Sequence, residues 1–152
     1  MNRILLDTSY LLPLFGIDVE LDGLKENFTK MLKKFEVYYN TVSLIEVKFI
    51  VLRLLKDGIN LLEDYRIGLN IILAEEDHLK PTSFTNSEIE EVADRLLVDK
   101  GLKDYFDRMI YATSVVFKLA LVTEDRKLRD LANNYPLKPP VVYSWKDLLS
   151  KL

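Results

Sequence analysis

Short apolar runs alternate along this chain with longer stretches whose apolar residues recur at helical spacing. The first run, Arg3-Ile4-Leu5-Leu6, ends in Asp7-Thr8-Ser9 and predicts a buried parallel strand followed at once by a helix capped by Thr or Ser. Asp7 is thereby expected at a strand's C-terminal end, with Thr8 or Ser9 relieving it of capping. Apolar residues at 24, 28, 31, 32 and 35 form a helical stripe, and Glu36-Val37-Tyr38-Tyr39-Asn40 predicts a second strand. A long helix follows Thr41, runs to Lys56 and closes at Asp57-Gly58. Another spans Leu61 to about Asp77, after which His78 to Thr82 leaves room for a short strand. Thr85-Asn86-Ser87-Glu88 has the spacing of a capping box that opens a helix to about Val98. Asp104 to Leu119 predicts a helix, Ala120 to Thr123 a buried strand, Asp125 to Ala132 a helix, and Val141 to Tyr143 a strand before a helix from Trp145.

Strands alternating with helices predict parallel pairing through right-handed crossovers, with helices on both faces of the sheet. Such sheets bind ligands outside the C-terminal ends of their strands. No linker, low-complexity stretch or internal repeat divides the 152 residues, so residues 1–152 read as a single domain. Although 49% of residues are apolar, no apolar run approaches the about 18 residues that span a bilayer. The N-terminus carries no signal-peptide features, and the expectation is a soluble, cytoplasmic protein without membrane contact.

Composition narrows the chemistry. With no cysteine there is no disulfide framework, thiolate zinc site or cysteine nucleophile, and the single His78 excludes a site needing two histidines from one chain. His78 follows Glu75-Glu76-Asp77 and reads as a solvated or capping residue. The net charge of −3 neither marks nor excludes a nucleic-acid binder.

Four carboxylates stand out because they fall in or beside segments expected to be buried. Asp7 and Asp125 follow strands; Glu46 and Asp107 lie in apolar helical segments, and Asp104 shares a helix face with Asp107. Each has an ordinary reading, as a helix cap or a solvent-facing charge. Taken together and without matching basic partners, buried acids imply a divalent cation, and an all-oxygen donor set suits Mg²⁺ or Mn²⁺.

Four stretches in order resemble the PIN domain family, named from the N-terminus of the PilT protein and including the VapC toxins: Ile4-Leu5-Leu6-Asp7-Thr8-Ser9, Thr41-Val42-Ser43-Leu44-Ile45-Glu46-Val47, Asp107-Arg108-Met109-Ile110-Tyr111-Ala112-Thr113 and Leu121-Val122-Thr123-Glu124-Asp125. The resemblance implies a three-layer α/β/α fold with a central parallel, five-stranded sheet. It also implies a Mg²⁺- or Mn²⁺-dependent endoribonuclease with Asp7, Glu46, Asp107 and Asp125 as catalytic metal-holding acids. Asp104 would be an accessory ligand, and Thr8 and Thr123 supporting residues, Thr123 positioning the last acid. In that chemistry one metal lowers the pKa of a water and a second, about 3.5–4 Å away, stabilises the leaving oxygen.

Further expectations concern partners. Arg126, Lys127 and Arg129 begin next to Asp125 and are candidates for contacts with an RNA backbone, against the plainer reading of a solvated helix face. Trp145 and the tyrosines at 38, 39, 105 and 111 read as core or interface, with Tyr111, one turn beyond Asp107, the one candidate for contact with the site. Ile67, Ile71 and Ile72 with Leu69 form an apolar face that predicts a homodimer, and the resemblance makes an antitoxin protein a candidate partner. Two rival readings stand beside this one. A phospho-acceptor receiver is another parallel fold with acids at strand ends, faintly suggested by Lys138-Pro139; it is disfavoured because Thr8 and Ser9, not a second acid, follow Asp7. A non-catalytic PIN-fold RNA-binding protein is disfavoured by the complete acidic set.

Overall fold

The structure, a computed structural model, describes residues 2–152. Five strands, β1 (Arg3–Leu6), β2 (Glu36–Asn40), β3 (Leu79–Thr82), β4 (Ala120–Val122) and β5 (Val142–Tyr143), form one sheet in the order β3-β2-β1-β4-β5. Every pairing is parallel, with Leu5 opposite both Tyr38 and Leu121. Helices α1 (Leu24–Lys34), α2 (Val42–Lys56), α3 (Leu62–Ala74), α4 (Ser87–Lys100), α5 (Tyr105–Val116), α6 (Arg126–Asn134) and α7 (Trp145–Leu149) supply the crossovers and the two outer layers.

Side chains alternate across a strand, so each strand feeds two cores. Ile4, Leu6, Val37, Tyr39, Ala120 and Val122 pack with residues of α1, α2, α3 and α7. Leu5 and Leu121 pack on the other face with α4, α5 and α6. This double burial explains why the central strands are continuous apolar runs with no polar alternation. Pro81 is accommodated because β3 lies at the sheet edge.

Several local expectations change. No α-helix follows β1; residues Thr8–Tyr10 and Leu12–Phe15 form two 3₁₀ turns, the second opening on Pro13 and ending at Gly16 with φ +78°. Neither Thr8 nor Ser9 caps the first turn. Asp7 does so itself, its Oδ1 accepting from Thr8 N at 2.7 Å. The second turn is covered by α3 at very close range: a Cβ on Gly68 would lie 2.5 Å from the Leu14 carbonyl oxygen, so glycine is required there.

α3 ends at Ala74 and points Ile72 into the core. Its exposed apolar residues are therefore Ile67, Ile71 and Leu73, with Leu69 partly buried. α4 is capped by Asn86, which accepts from Ile89 N, and not by Thr85, whose hydroxyl donates to Glu90. α5 stops at Val116, short of Leu119, because Lys118 adopts a left-handed φ of +53°. No described helix is long and apolar enough to cross a membrane.

Candidate active site

The chain steps outward from β1 to β2 and β3, then crosses to the other side of β1 for β4 and β5. Direction reverses between β1 and β4, and in a parallel sheet this opens a crevice beyond the strands' C-terminal ends. Asp7 follows β1 there, and Thr123 to Asp125 follow β4. A cleft of about 350 Å³ at this point is lined by Asp7, Glu46, Asp107 and Asp125 together with Thr8 and Glu124. Four acids spaced across most of the chain thus share one cavity.

Hydrogen bonds hold the strand ends in register. Thr123 donates its hydroxyl to Asp7 Oδ2 at 2.6 Å and accepts from Asp125 N at 3.1 Å, so one buried threonine couples the first acid to the backbone of the last. Asp125 caps α6, its Oδ1 accepting from Lys127 N at 2.7 Å and Leu128 N at 3.2 Å. Asp104 is the exposed cap of α5 and accepts from Asp107 N at 2.9 Å. Thr8 donates to the buried Ser43 at 2.9 Å, tying the turn after β1 to the helix that carries Glu46.

Two residues absent from the sequence-based set also position the site. Asn40, fully buried at the end of β2, accepts from Val42 N at 2.8 Å and donates to Thr113 Oγ1 at 2.7 Å, fixing α2 against α5. These are the helices of Glu46 and Asp107. Glu124 accepts from Tyr10 Oη at 2.8 Å and from Trp145 N, anchoring α7 beside the cleft. An asparagine ending a strand is an ordinary turn signal, so its reach across to α5 left no mark in the sequence.

The electrostatics are one-sided. Burial pushes the Asp107 carboxyl up to about 7, and the charges of Asp104, Asp7, Asp125 and Glu46 add to the rise. Burial also raises Asp7, although the bonds from Thr123 and Thr8 oppose it. Glu46 rises through burial as well, with the nearby Thr8 hydroxyl pulling the other way and Asp7 and Asp104 adding to it. No Lys or Arg is among the described residues lining this cleft. A carboxylate desolvated among other carboxylates resists ionising unless positive charge is brought in.

Oxygen donors alone, of one sign and without a built-in counter-charge, have the chemistry of a site for a hard divalent cation. In the conformation shown, no three of these side chains among the described residues converge closely enough to ligate one ion. Asp7 is the most committed acid, with both oxygens hydrogen-bonded.

A second, larger groove of about 1030 Å³ adjoins the cleft and shares Asp107 and Asp125 with it. Arg126 and Lys127 line this groove together with Lys100, at the end of α4, and Lys103, in the connection to α5. Arg129 does not line it; its charge acts on Asp147 and Tyr10. Tyr111 is buried in the core, its hydroxyl donating to the Leu137 carbonyl at 3.0 Å. His78 is exposed beyond α3, with Nδ1 3.3 Å from the Glu75 carboxylate.

A parallel α/β/α sandwich with an acid-lined cleft at its switch point is the class that fold and geometry define. Within that class the chain belongs to the PIN domain family, whose model matches residues 4–134. Solved structures of similar fold include VapBC2 from Rickettsia felis bound to a promoter DNA fragment, at 17% identity and a TM-score of 0.65, covering 93% of this chain and 98% of that one. A toxin–antitoxin complex from Klebsiella pneumoniae is similar at 19% identity and a TM-score of 0.59, covering 93% and 97%. FitAB bound to an IR36 DNA fragment is similar at 15% identity and a TM-score of 0.62, covering 93% and 94%. No curated protein matches the chain.

The strand order also removes the receiver reading. A flavodoxin-like receiver has the order 2-1-3-4-5, whereas β1 here lies between β2 and β4. Asp57 caps the C-terminus of α2, far in the topology from any strand end.

Proposed function

We propose that this chain is a Mg²⁺- or Mn²⁺-dependent endoribonuclease of the PIN type, with Asp7, Glu46, Asp107 and Asp125 as its catalytic acids. The observation that carries this is the gathering of those four acids in one cleft with no basic residue among its described lining, where burial and the other acids hold Asp107 up to about 7. A bound divalent cation would supply an activated water and offset the negative charge that develops on the phosphate. Asp107, Glu46 and Asp125 each keep an oxygen outside the hydrogen bonds described above and would hold it, with Asp104 at the rim. Asp7, oriented by Thr8 and Thr123, completes the set. Incubating the protein with RNA should give discrete cleavage products with Mn²⁺ and none in EDTA. Equal cleavage by wild type and Asp107→Asn would overturn the assignment.

The same reading makes the chain the toxin of a toxin–antitoxin pair, supported by the similar fold of the toxin–antitoxin complex from Klebsiella pneumoniae. Co-expression with the product of the adjacent gene should yield a stable complex that no longer cleaves RNA. A homodimer through the exposed Ile67 and Ile71 belongs to the same proposal. Sedimentation at micromolar concentration should give twice the chain mass, and a monomer would reject it.

A further inference from the structure

Positive charge lies on one side of the acidic cleft. Lys100 ends α4, and Gly101, at φ +65°, turns the chain so that Lys103 follows on the same groove wall. Arg126 and Lys127 open α6 on the opposite wall. The Lys100 ammonium lies 5.3 Å from the centroid of the Tyr135 ring. The Lys103 segment is held by Arg108, whose Nη1 donates to the Leu102 carbonyl at 3.0 Å and the Lys103 carbonyl at 2.6 Å. None of the four cations is within ion-pair distance of a carboxylate among the described residues, although Asp104, Asp107 and Asp125 share the groove. Beyond the shared acids, the adjoining cleft is lined by Thr8, Ser9, Leu12 and Ile50, without a cation among its described residues.

We infer that this groove is the track for the sugar–phosphate backbone of a single-stranded RNA on one side of the cut, held by Lys100, Lys103, Arg126 and Lys127. The inference rests on the proposed ribonuclease function and adds its substrate geometry. Phosphates lying along the groove meet four cations that no carboxylate pairs, next to the acids that end it. Phosphates in the adjoining cleft meet acids, hydroxyls, Leu12 and Ile50, and no cation. Lys100 and Lys103 are the new members, brought opposite Arg126 and Lys127 by folding alone. Arg108 is a positioning residue, acting through the loop it pins.

The test is fluorescence anisotropy with a labelled single-stranded oligouridylate of about 12 nucleotides, within the range of single-strand sites. The binding measurements use an Asp107→Asn background to prevent cleavage, and cleavage is measured with Asp107 intact. The Lys100→Ala/Lys103→Ala variant should bind about tenfold more weakly near 0.1 M salt, and its salt slope should fall by about 1.4, from about 0.7 per phosphate contact. Lys33→Ala/Lys34→Ala, which removes two exposed charges at the end of α1, should match the parent. Equal binding by the groove variant and the parent, or an equal loss in the α1 variant, overturns the track. Trimming a cleaved substrate from either end should reduce affinity from one end only, and equal losses from both ends overturn its one-sidedness. If wild type cuts RNA while groove variants bind and cut as it does, the track alone fails. If wild type neither binds nor cuts RNA, the ribonuclease reading fails first and the track with it.

Discussion

Glu36 and Glu46 are the same residue type at opposite ends of one sheet, and their surroundings differ completely. Glu36 begins β2, where it accepts from the Tyr38 hydroxyl and from Lys80 Nζ at 2.9 Å, with Arg3 3.9 Å away. The Tyr38 hydrogen bond, then Lys80, holds its carboxyl below the usual glutamate range. Glu46 and Asp107, at the C-terminal end, are pushed up by burial first and by neighbouring acids in addition. A carboxylate that serves structure is balanced by the chain itself; one left unbalanced beside a cavity points to a counter-charge from outside.

The sharpest way to break this contrast is to neutralise one acid at each end. Asp107→Asn should lower Mn²⁺-dependent RNA cleavage by about a hundredfold or more, given that even supporting residues around a metal are worth about 10–100-fold. Glu36→Gln should cleave like wild type. Comparable losses in a gel-based cleavage assay would remove the functional distinction between the two ends.

Next in size is the response of stability to metal. A cation that binds only the folded chain stabilises it by about 2.7 kcal/mol at a hundredfold excess over Kd, which for a chain of this length is about 5–10 °C in melting temperature. Calorimetry should show that gain for wild type with Mn²⁺. Asp107→Asn should melt a few degrees higher than wild type in EDTA, because one repelling charge is gone, and gain little from Mn²⁺. A variant that melts lower in EDTA yet responds fully to Mn²⁺ would make Asp107 a structural residue.

Stability against pH should have opposite signs at the two ends. For Asp107 the folded state holds its proton up to about 7, whereas an unfolded aspartate releases it near about 3.9. The folded state therefore binds more protons in that window, and stability falls as pH rises from about 4 through 7. In EDTA, Asp107→Asn should flatten this fall. Glu36, held low, contributes stability that is present above the unfolded glutamate value of about 4.3 and lost as pH falls below it. A wild-type melting temperature unchanged between pH 4 and 7 in EDTA would contradict the repulsion inferred at the cleft.

The smallest expected effect is that of the paired end on stability. Glu36 and its cations are substantially solvent-exposed, and exposed ion pairs contribute little. At pH 7, Glu36→Gln should move the melting temperature by no more than about 2 °C. A larger drop would show that the pairing at this end stabilises the fold more than its exposure implies.

The residues themselves explain which parts of this molecule were legible early. The run Ile4-Leu5-Leu6, the stripe of α1 and the Asp57-Gly58 ending of α2 report backbone geometry that recurs over a few residues. The five strands and the four acids could therefore be located from local pattern and ordered motifs. Where two local solutions compete, pattern does not choose between them: Thr85 and Asn86 both suit a cap, and Asn86 takes it. After β1, the sequence matched a capped helix, but Pro13, Gly16 and the close packing of α3 over Leu14 favour two tight turns. Asp7 then caps its own turn while Thr123 holds its second oxygen, a pairing across 116 positions.

By itself the chain determined its alternating elements, its doubly buried strands and the acids at their ends, because these follow from side-chain period and local hydrogen bonding. The tertiary structure decided which ends become neighbours. The order β3-β2-β1-β4-β5 brings Asp7 to Thr123, Asn40 joins α2 to α5, and the turn at Gly101 sets Lys100 and Lys103 opposite Arg126 and Lys127. Those contacts depend on which apolar faces share a core, a long-range choice that repeats no local period and that only packing of the whole chain resolves.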